Sequence, residues 1–89
     1  MYGDIWIKLY KKHKIKNDYT ISAEKENTEQ SLYEAYKHLD ISAPIWSKKN
    51  FSEWENHNIT RFFADDFMDE FPYDSMELVF ILHEEKNNL

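Results

Sequence analysis

The sequence predicts a small α+β domain, and three patterns lead to that fold class. Apolar and polar residues alternate near the N-terminus, as in half-buried strands, and apolar residues recur every three or four positions further along, as in an amphipathic helix. A run of apolar residues near the C-terminus is typical of a buried strand. The 89 residues suffice for one hydrophobic core, so we expect residues 1–89 to form a single domain.

The N-terminal part of the chain predicts an antiparallel β-hairpin. Residues 5–10 alternate between apolar side chains and more polar ones, which indicates a strand with one face on the core. Residues 15–23 repeat the alternation, with Tyr19 and Ile21 on the apolar side. The polar and mostly basic residues 11–14 lie between the two strands and form the expected bend.

A single main helix is predicted over residues 27–39. Asn27 or Thr28 can cap its N-terminus. Its apolar face would comprise Leu32, Ala35, Tyr36 and Leu39. Pro44 disfavours helical geometry at the residue before it, so the helix should end by Ser42. We expect the apolar face of this helix to cover one face of the sheet.

Residues 51–80 concentrate the aromatic and acidic side chains. Eight of the fifteen aromatic residues and eight carboxylates lie there, with Arg61 as the one basic residue. Ser52 and Glu55 have the spacing of a capping box, so we expect a short helix in this aromatic segment. Its aromatic face would comprise Phe51 and Trp54.

The rest of the aromatic segment is expected to close an edge of the core. Residues 44–46 predict an extended apolar stretch. Asp65 or Asp66 can begin another helical turn that carries Phe67 and Met68 and ends at Pro72. Residues 76–83 are nearly all apolar, which favours a central strand buried on both faces. On this interpretation the Phe80 ring is a structural part of the core.

The charges are unevenly distributed along the chain. The formal net charge is −6. Residues 1–22 contain five lysines and two aspartates, a net of +3, whereas residues 50–85 contain ten carboxylates and Arg61, a net of −9. We therefore expect a molecule with a basic end and an acidic end. Such an acidic end attracts a basic partner and repels nucleic acid, so direct nucleic-acid binding is not expected.

The candidate binding surface combines carboxylates with an aromatic side chain. Its predicted residues are Trp54, Asp65, Asp66, Asp69, Glu70 and Asp74. Arg61 is assigned a structural role instead, because a guanidinium can bond a nearby carboxylate and stack on a ring. We expect it to tie the aromatic and acidic residues together.

The sequence does not favour catalysis or a bound cofactor. The four histidines are scattered without a second histidine or cysteine at metal-ligand spacing, so no metal site is expected. The single glycine provides neither a nucleophile elbow nor a phosphate loop. One imperfect pattern remains, Asp74 followed by Glu84, Glu85 and Lys86, which imitates the acid, acid-x-Lys order of some metal-dependent nucleases.

The chain is expected to work in the cytoplasm. Its N-terminus lacks the layout of a signal peptide, and no apolar run approaches the length of a membrane span, so no membrane partner is expected. It contains no cysteine, which suits a reducing compartment.

Several short motifs occur in order along nearly the whole chain. They are Ile5-Trp6-Ile7, the tyrosine-containing helix, Pro44-Ile45-Trp46, Thr60-Arg61-Phe62, Asp66-Phe67 and the closing strand. In this series the chain resembles a group of small uncharacterised proteins of Gram-positive bacteria. The resemblance implies an intracellular single-domain protein and transfers no functional site.

Together these patterns predict a small acidic protein-binding module. Its acidic and aromatic surface would dock a basic protein partner, in one form as an inhibitor that mimics nucleic acid. Two alternatives from other classes remain. One is a metal-dependent nuclease-like enzyme that uses Asp74 and Glu84, and the other is an oligomerising structural protein whose aromatic residues bury against a second copy.

Overall fold

The computed structural model describes residues 1–83, which form a four-stranded antiparallel sheet and two α-helices. This architecture confirms the α+β fold class. The elements in chain order are β1 Tyr2–Lys11, β2 Lys14–Glu24, α1 Thr28–Leu39, α2 Lys48–His57, β3 Ile59–Phe63 and β4 Ser75–Leu82. The strand order in the sheet is β2-β1-β4-β3.

The N-terminal hairpin is confirmed, and a two-residue turn joins its strands. Lys12 and His13 occupy this turn with backbone φ values of 54° and 67°. Left-handed conformations at both positions suit the right-handed twist of the flanking strands. Neither residue is a glycine, so the turn carries a steric cost. A hydrogen bond from the Lys12 N–H to the Asp74 carboxylate, 2.7 Å long, helps to hold it.

Helix α1 lies where the sequence predicts it and Asn27 occupies its N-cap position, but the expected side-chain capping bond does not form. The Asn27 side chain accepts no capping hydrogen bond. The Thr28 hydroxyl instead donates to the Lys25 carbonyl oxygen at 2.7 Å, within a 3₁₀ turn that precedes the helix. The helix ends at Leu39, because the next residue, Asp40, has a left-handed φ of 58° and caps the last turn.

Helix α2 begins earlier than predicted and is a full ten-residue helix. The capping box predicted for Ser52 and Glu55 is wrong, because Ser47 is the N-cap and Asn50 completes the box. The Ser47 hydroxyl accepts the Asn50 N–H at 3.2 Å, and the Asn50 side-chain oxygen accepts the Ser47 N–H at 2.9 Å. Asn50 supplies the reciprocal bond that a glutamate or glutamine gives in the usual box.

Strand β3 was missed from the sequence, which predicts an irregular segment at this edge. It pairs with β4 over five residues, with Thr60 and Phe62 facing inwards. The helix predicted after Asp65 is also wrong, since only a 3₁₀ turn, Ala64–Asp66, forms there. Phe67 is extended and forms a β-bridge with Pro44, which places the Phe67 ring in the core. Tertiary packing overrides the local helical preference at this position.

Both helices cover the same face of the sheet, with α1 over β2 and α2 over β3. The core between the layers includes Ile5, Ile7, Leu9, Leu32, Ala35, Tyr36, Leu39, Trp54, Phe62, Phe67, Met76, Leu78 and Phe80. Strand β4 is central, as predicted, but it is not buried on both faces. Glu77 and Val79 lie half-buried on the opposite face, which no helix in residues 1–83 covers.

The single glycine allows two strands and a ring to approach closely. Gly3 lies on the core face of β1, opposite Leu82 of β4. A Cβ atom at this position would overlap the Ile81 carbonyl oxygen and lie 2.8 Å from Cζ of Phe80. Gly3 therefore leaves the space that the Phe80 ring occupies. Phe80 is 4% exposed, which confirms its predicted place in the core.

Neither α1 nor α2, nor any other helix within residues 1–83, is long and apolar enough to cross a membrane.

Candidate functional site

Trp54 belongs to the core and not to the predicted binding surface. Its side chain is 5% exposed, and its indole N–H donates to the buried Thr28 hydroxyl at 3.0 Å. The ring meets Phe80 edge to face, with the two ring centroids 6.0 Å apart. Helix α2 turns Asn50 and Trp54 inwards, four residues apart, whereas Phe51 is half-exposed. The expectation that Trp54 contacts a partner is therefore corrected.

Residues 64–74, which connect β3 to β4, form an acidic loop with a defined backbone. Asp66 fixes its beginning, because its carboxylate accepts the Phe63 N–H at 2.8 Å and its carbonyl oxygen accepts the Ile45 N–H at 2.8 Å. Phe67 and Phe71 stack with their centroids 3.9 Å apart. Asp66 therefore stabilises the backbone of the loop, and its carboxylate is only partly exposed to a partner.

Asp74 fixes the other end of the acidic loop. Its carboxylate accepts the Lys12 N–H at 2.7 Å, and its own N–H donates to the Tyr10 carbonyl oxygen at 2.8 Å. The Lys11 ammonium donates to the Pro72 carbonyl oxygen at 3.2 Å. The basic hairpin turn therefore lies against the end of the acidic loop. This placement overturns the expected separation into a basic end and an acidic end.

Three predicted carboxylates remain accessible on the acidic loop. Asp65, Asp69 and Glu70 are exposed, and none of them hydrogen-bonds or forms an ion pair with another residue of the described chain. Met68 lies among them with 85% of its side chain exposed, the largest exposed fraction of any large apolar residue in the described chain. Met68 was not among the predicted binding residues, although its position between Asp66 and Asp69 is visible in the sequence.

Arg61 contacts one carboxylate and one aromatic ring, in keeping with the structural role that the sequence predicts. Its guanidinium bonds Glu77 at 2.9 Å across the β3–β4 pair and lies 5.2 Å from the Tyr10 ring centroid. Lys8 bonds the other Glu77 oxygen, also at 2.9 Å. Burial by itself would raise the pKa of Glu77, but the hydrogen bonds from Lys8 and Arg61 outweigh it and hold that pKa below its usual value.

A cleft beside the N-terminus of α1 was not predicted. It has a volume of about 550 Å³. Its lining includes Lys25, which lies in the 3₁₀ turn before α1, Trp46, which lies just before α2, and Phe51 of α2. The Trp46 and Phe51 rings stack with centroids 5.0 Å apart. Their spacing in the sequence, five residues apart across the start of α2, was the available signal.

The residues of the nuclease-like alternative are only partly described. Asp74 lies in the bonded end of the acidic loop, whereas Glu84, Glu85 and Lys86 lie outside the described residues. Within residues 1–83, no three carboxylate or histidine side chains come together as metal ligands would. The metal-dependent alternative therefore stays a prediction.

Comparison with known proteins adds no assignment. The chain matches no protein-family model, no curated protein and no solved structure.

Proposed function

We propose that this protein is a protein-binding module and that the acidic loop docks a basic partner. The observation that carries the proposal is the exposed Met68, which stands among Asp65, Asp69 and Glu70 on a loop fixed at both ends. In this proposal Met68 replaces Trp54 as the apolar residue of the binding surface.

An exposed methionine suits the centre of a protein interface. Its unbranched, polarizable side chain adapts to irregular apolar surfaces, and methionine is enriched at interfaces relative to the rest of protein surfaces. With 85% of its side chain exposed, Met68 has most of its area left to bury against a partner.

The surrounding carboxylates define the chemistry of the partner. Asp65, Asp69 and Glu70 lie within six positions and are solvated. They attract a surface rich in lysine or arginine and speed up its encounter with Met68. The nearby Lys11 and Lys12 limit the reach of this negative potential, so the attraction is local to the loop.

The fixed backbone lowers the cost of binding. Asp66 and Asp74 hold the two ends by hydrogen bonds of 2.8 Å and 2.7 Å, and Phe67 anchors the loop in the core. A loop that is already ordered loses less conformational entropy when it binds. The proposal places the module in the cytoplasm, which suits a chain without cysteine.

The test compares two sets of charge-neutralising variants in a capture experiment. Replacing Asp65→Asn, Asp69→Asn and Glu70→Gln together removes three charges from the acidic loop at nearly constant shape. Glu24→Gln, Glu34→Gln and Asp40→Asn form the matched control, because these three carboxylates are exposed and lie on other elements. Each protein is immobilised and used to capture partners from a cell lysate, and the captured proteins are identified by mass spectrometry.

We expect both the wild type and the control variant to capture a set of basic proteins. The loop variant should fail to capture them. Purified, such a partner should associate with the loop variant about tenfold more slowly at low salt, since the steering charges are gone. Met68→Ala should instead speed up dissociation, because it removes buried apolar contact. Surface plasmon resonance measures both rates. If the loop variant captures the same proteins with the same rates as the wild type, the proposal is wrong.

A further inference from the structure

The sheet has one face that the helices leave open, and its side chains are arranged in rows across the four strands. We call it the open face; it consists of the alternate residues that point away from the core. One row crosses the middle of the sheet and contains Asp18 of β2, Lys8 of β1, Glu77 of β4 and Arg61 of β3. Read in strand order, its charges alternate: negative, positive, negative, positive.

This charged row is a connected structure. Glu77 bonds both Lys8 and Arg61 at 2.9 Å, and Asp18 accepts the Trp6 indole N–H at 2.9 Å. The Lys8 ammonium lies 4.2 Å from the Trp6 ring centroid. The side chains of Lys8 and Glu77 are only 14% and 12% exposed, so the middle of the row is already largely removed from water.

The flanking rows of the open face are mainly apolar. On one side of the charged row lie Thr20, Trp6, Val79 and Ile59, in strand order. On the other side lie Ile15, Tyr10, Ser75 and Phe63. Three apolar side chains at the outer strands are exposed by 39% to 56%: Ile15, Ile59 and Phe63. Such an uncovered apolar surface, crossed by a line of charge, is typical of an interaction surface.

The alternation of charge makes the open face complementary to itself. A twofold axis that runs parallel to the strands, between β1 and β4, exchanges β1 with β4 and β2 with β3. It places Asp18 over Arg61 of the second copy and Lys8 over Glu77 of the second copy. All the facing charges are then opposite. A twofold axis perpendicular to the strands, in the plane of the interface, would place each charged side chain over the same residue of the second copy. The facing charges would then be alike, so only the first orientation is favourable.

The same operation pairs the apolar rows. Trp6 then faces Val79 of the second copy, and Ile15 faces Phe63 of the second copy. Packed sheets lie about 10 Å apart with interdigitating side chains, a distance that aromatic and long charged side chains bridge from both sides. An isologous contact of this kind closes after two subunits.

We propose that the chain forms a twofold-symmetric dimer in which two open faces pack together with their strands aligned. This surface is separate from the accessible carboxylates of the acidic loop, and the dimer does not depend on the function proposed for that loop. Salt also distinguishes the two contacts. Each copy carries a formal charge of −6, so the copies repel one another at long range, and moderate salt screens this repulsion more than it screens the packed row.

The test uses a pair of complementary charge reversals. Asp18→Lys places a lysine over Arg61 of the second copy, and Arg61→Glu places a glutamate over Asp18 of the second copy. Each variant alone should dimerise at least about tenfold more weakly than the wild type. When the two variants are mixed, the new lysine of one faces the new glutamate of the other, and the wild-type arginine faces the wild-type aspartate. The mixed dimer should therefore recover.

Sedimentation velocity over protein concentrations from about 5 μM to about 500 μM measures the association. We expect the wild-type mass to rise from 10.9 kDa towards twice that value. Circular dichroism establishes that both variants are folded before they are mixed. The control pair, Glu34→Lys and Lys37→Glu, reverses exposed charges of α1 and should leave the dimer unchanged. A wild-type chain that stays at 10.9 kDa at every concentration would overturn the proposal, as would folded variants that fail to recover on mixing.

Discussion

At the scale of single residues, the position of Trp54 shows why an aromatic side chain near many carboxylates need not lie at a surface. The ring fills the space between α2 and Phe80, and its polar N–H finds the Thr28 hydroxyl inside the protein. A buried indole N–H without such a partner would be costly. The sequence contains both residues but does not show that they meet, because 26 positions separate them.

The core position of Trp54 leads to a stability prediction. Trp54→Ala should lower the free energy of unfolding by about 3–5 kcal/mol, since it leaves a large cavity and removes the hydrogen bond from the indole N–H to the Thr28 hydroxyl. Reversible urea unfolding measures this change. Phe51→Ala is the matched control, because Phe51 is an aromatic residue of the same helix that is 50% exposed, and it should cost clearly less. Similar losses from the two substitutions would contradict the assignment of Trp54 to the core.

At the scale of elements, the sequence predicts correctly the strands and the helix in which one hydrophobic period continues over many residues. The hairpin strands and α1 follow their expected periods over about ten residues each, and β4 lies within one residue of its predicted bounds. Strand β3 has only five residues, so two inward side chains, Thr60 and Phe62, are its whole signal. The start of α2 was missed because the polar Asn50 replaces the usual glutamate or glutamine of a capping box.

The charged row on the sheet predicts how stability depends on pH. Glu77 has a pKa below its usual value in the folded chain, so its contribution to stability is present above the unfolded pKa and is lost as the pH falls through the folded pKa. Glu77→Gln should therefore be less stable than the wild type near about pH 6, and the difference should shrink towards about pH 2.

Urea unfolding at a series of pH values, at protein concentrations low enough to keep the chain monomeric, measures this difference. Asp4 and Glu26 also have lowered pKa values, the first mainly through a hydrogen bond from His83 and the second mainly through the N-terminal ammonium. Both carboxylates contribute equally to the pH dependence of stability in the wild type and in Glu77→Gln. The difference between the two curves of unfolding free energy against pH therefore reports Glu77 alone. A difference that stays constant from neutral to acid pH would show that the Glu77 bonds do not form in solution.

At the scale of the whole molecule, the distribution of charge could not be read from the order of residues alone. The hairpin turn is basic and the loop before β4 is acidic, but antiparallel pairing of β1 with β4 brings the two to the same end of the sheet. Among the predicted site residues, Asp65, Asp69 and Glu70 are exposed as expected. Asp66 and Asp74 have bonds that fix the loop. The Asp66 carboxylate bonds the nearby Phe63 N–H, whereas the Asp74 carboxylate bonds the N–H of Lys12, 62 positions away in the chain.

The charged row on the open face also depends on how the strands pair and cannot be seen in the order of residues. Asp18, Lys8, Glu77 and Arg61 are scattered through the sequence, and only the strand order and register bring their charges into an alternating row. The sequence leaves open an oligomer whose aromatic residues bury against a second copy, but it does not indicate which surface they would use. The strand order and register place these side chains on one surface, and the proposed twofold symmetry follows from the alternation of their charges.

The central claim is that the acidic loop, residues 64–74, is where a basic partner binds. Backbone amide shifts in an NMR titration with a short oligolysine peptide test it most directly, at low ionic strength and low protein concentration. We expect the shifts to cluster on residues 64–74, to fade as salt is added, and to disappear in the Asp65→Asn, Asp69→Asn, Glu70→Gln variant. Shifts that are largest on α1 or on the open face, or that persist in this variant, would contradict the claim.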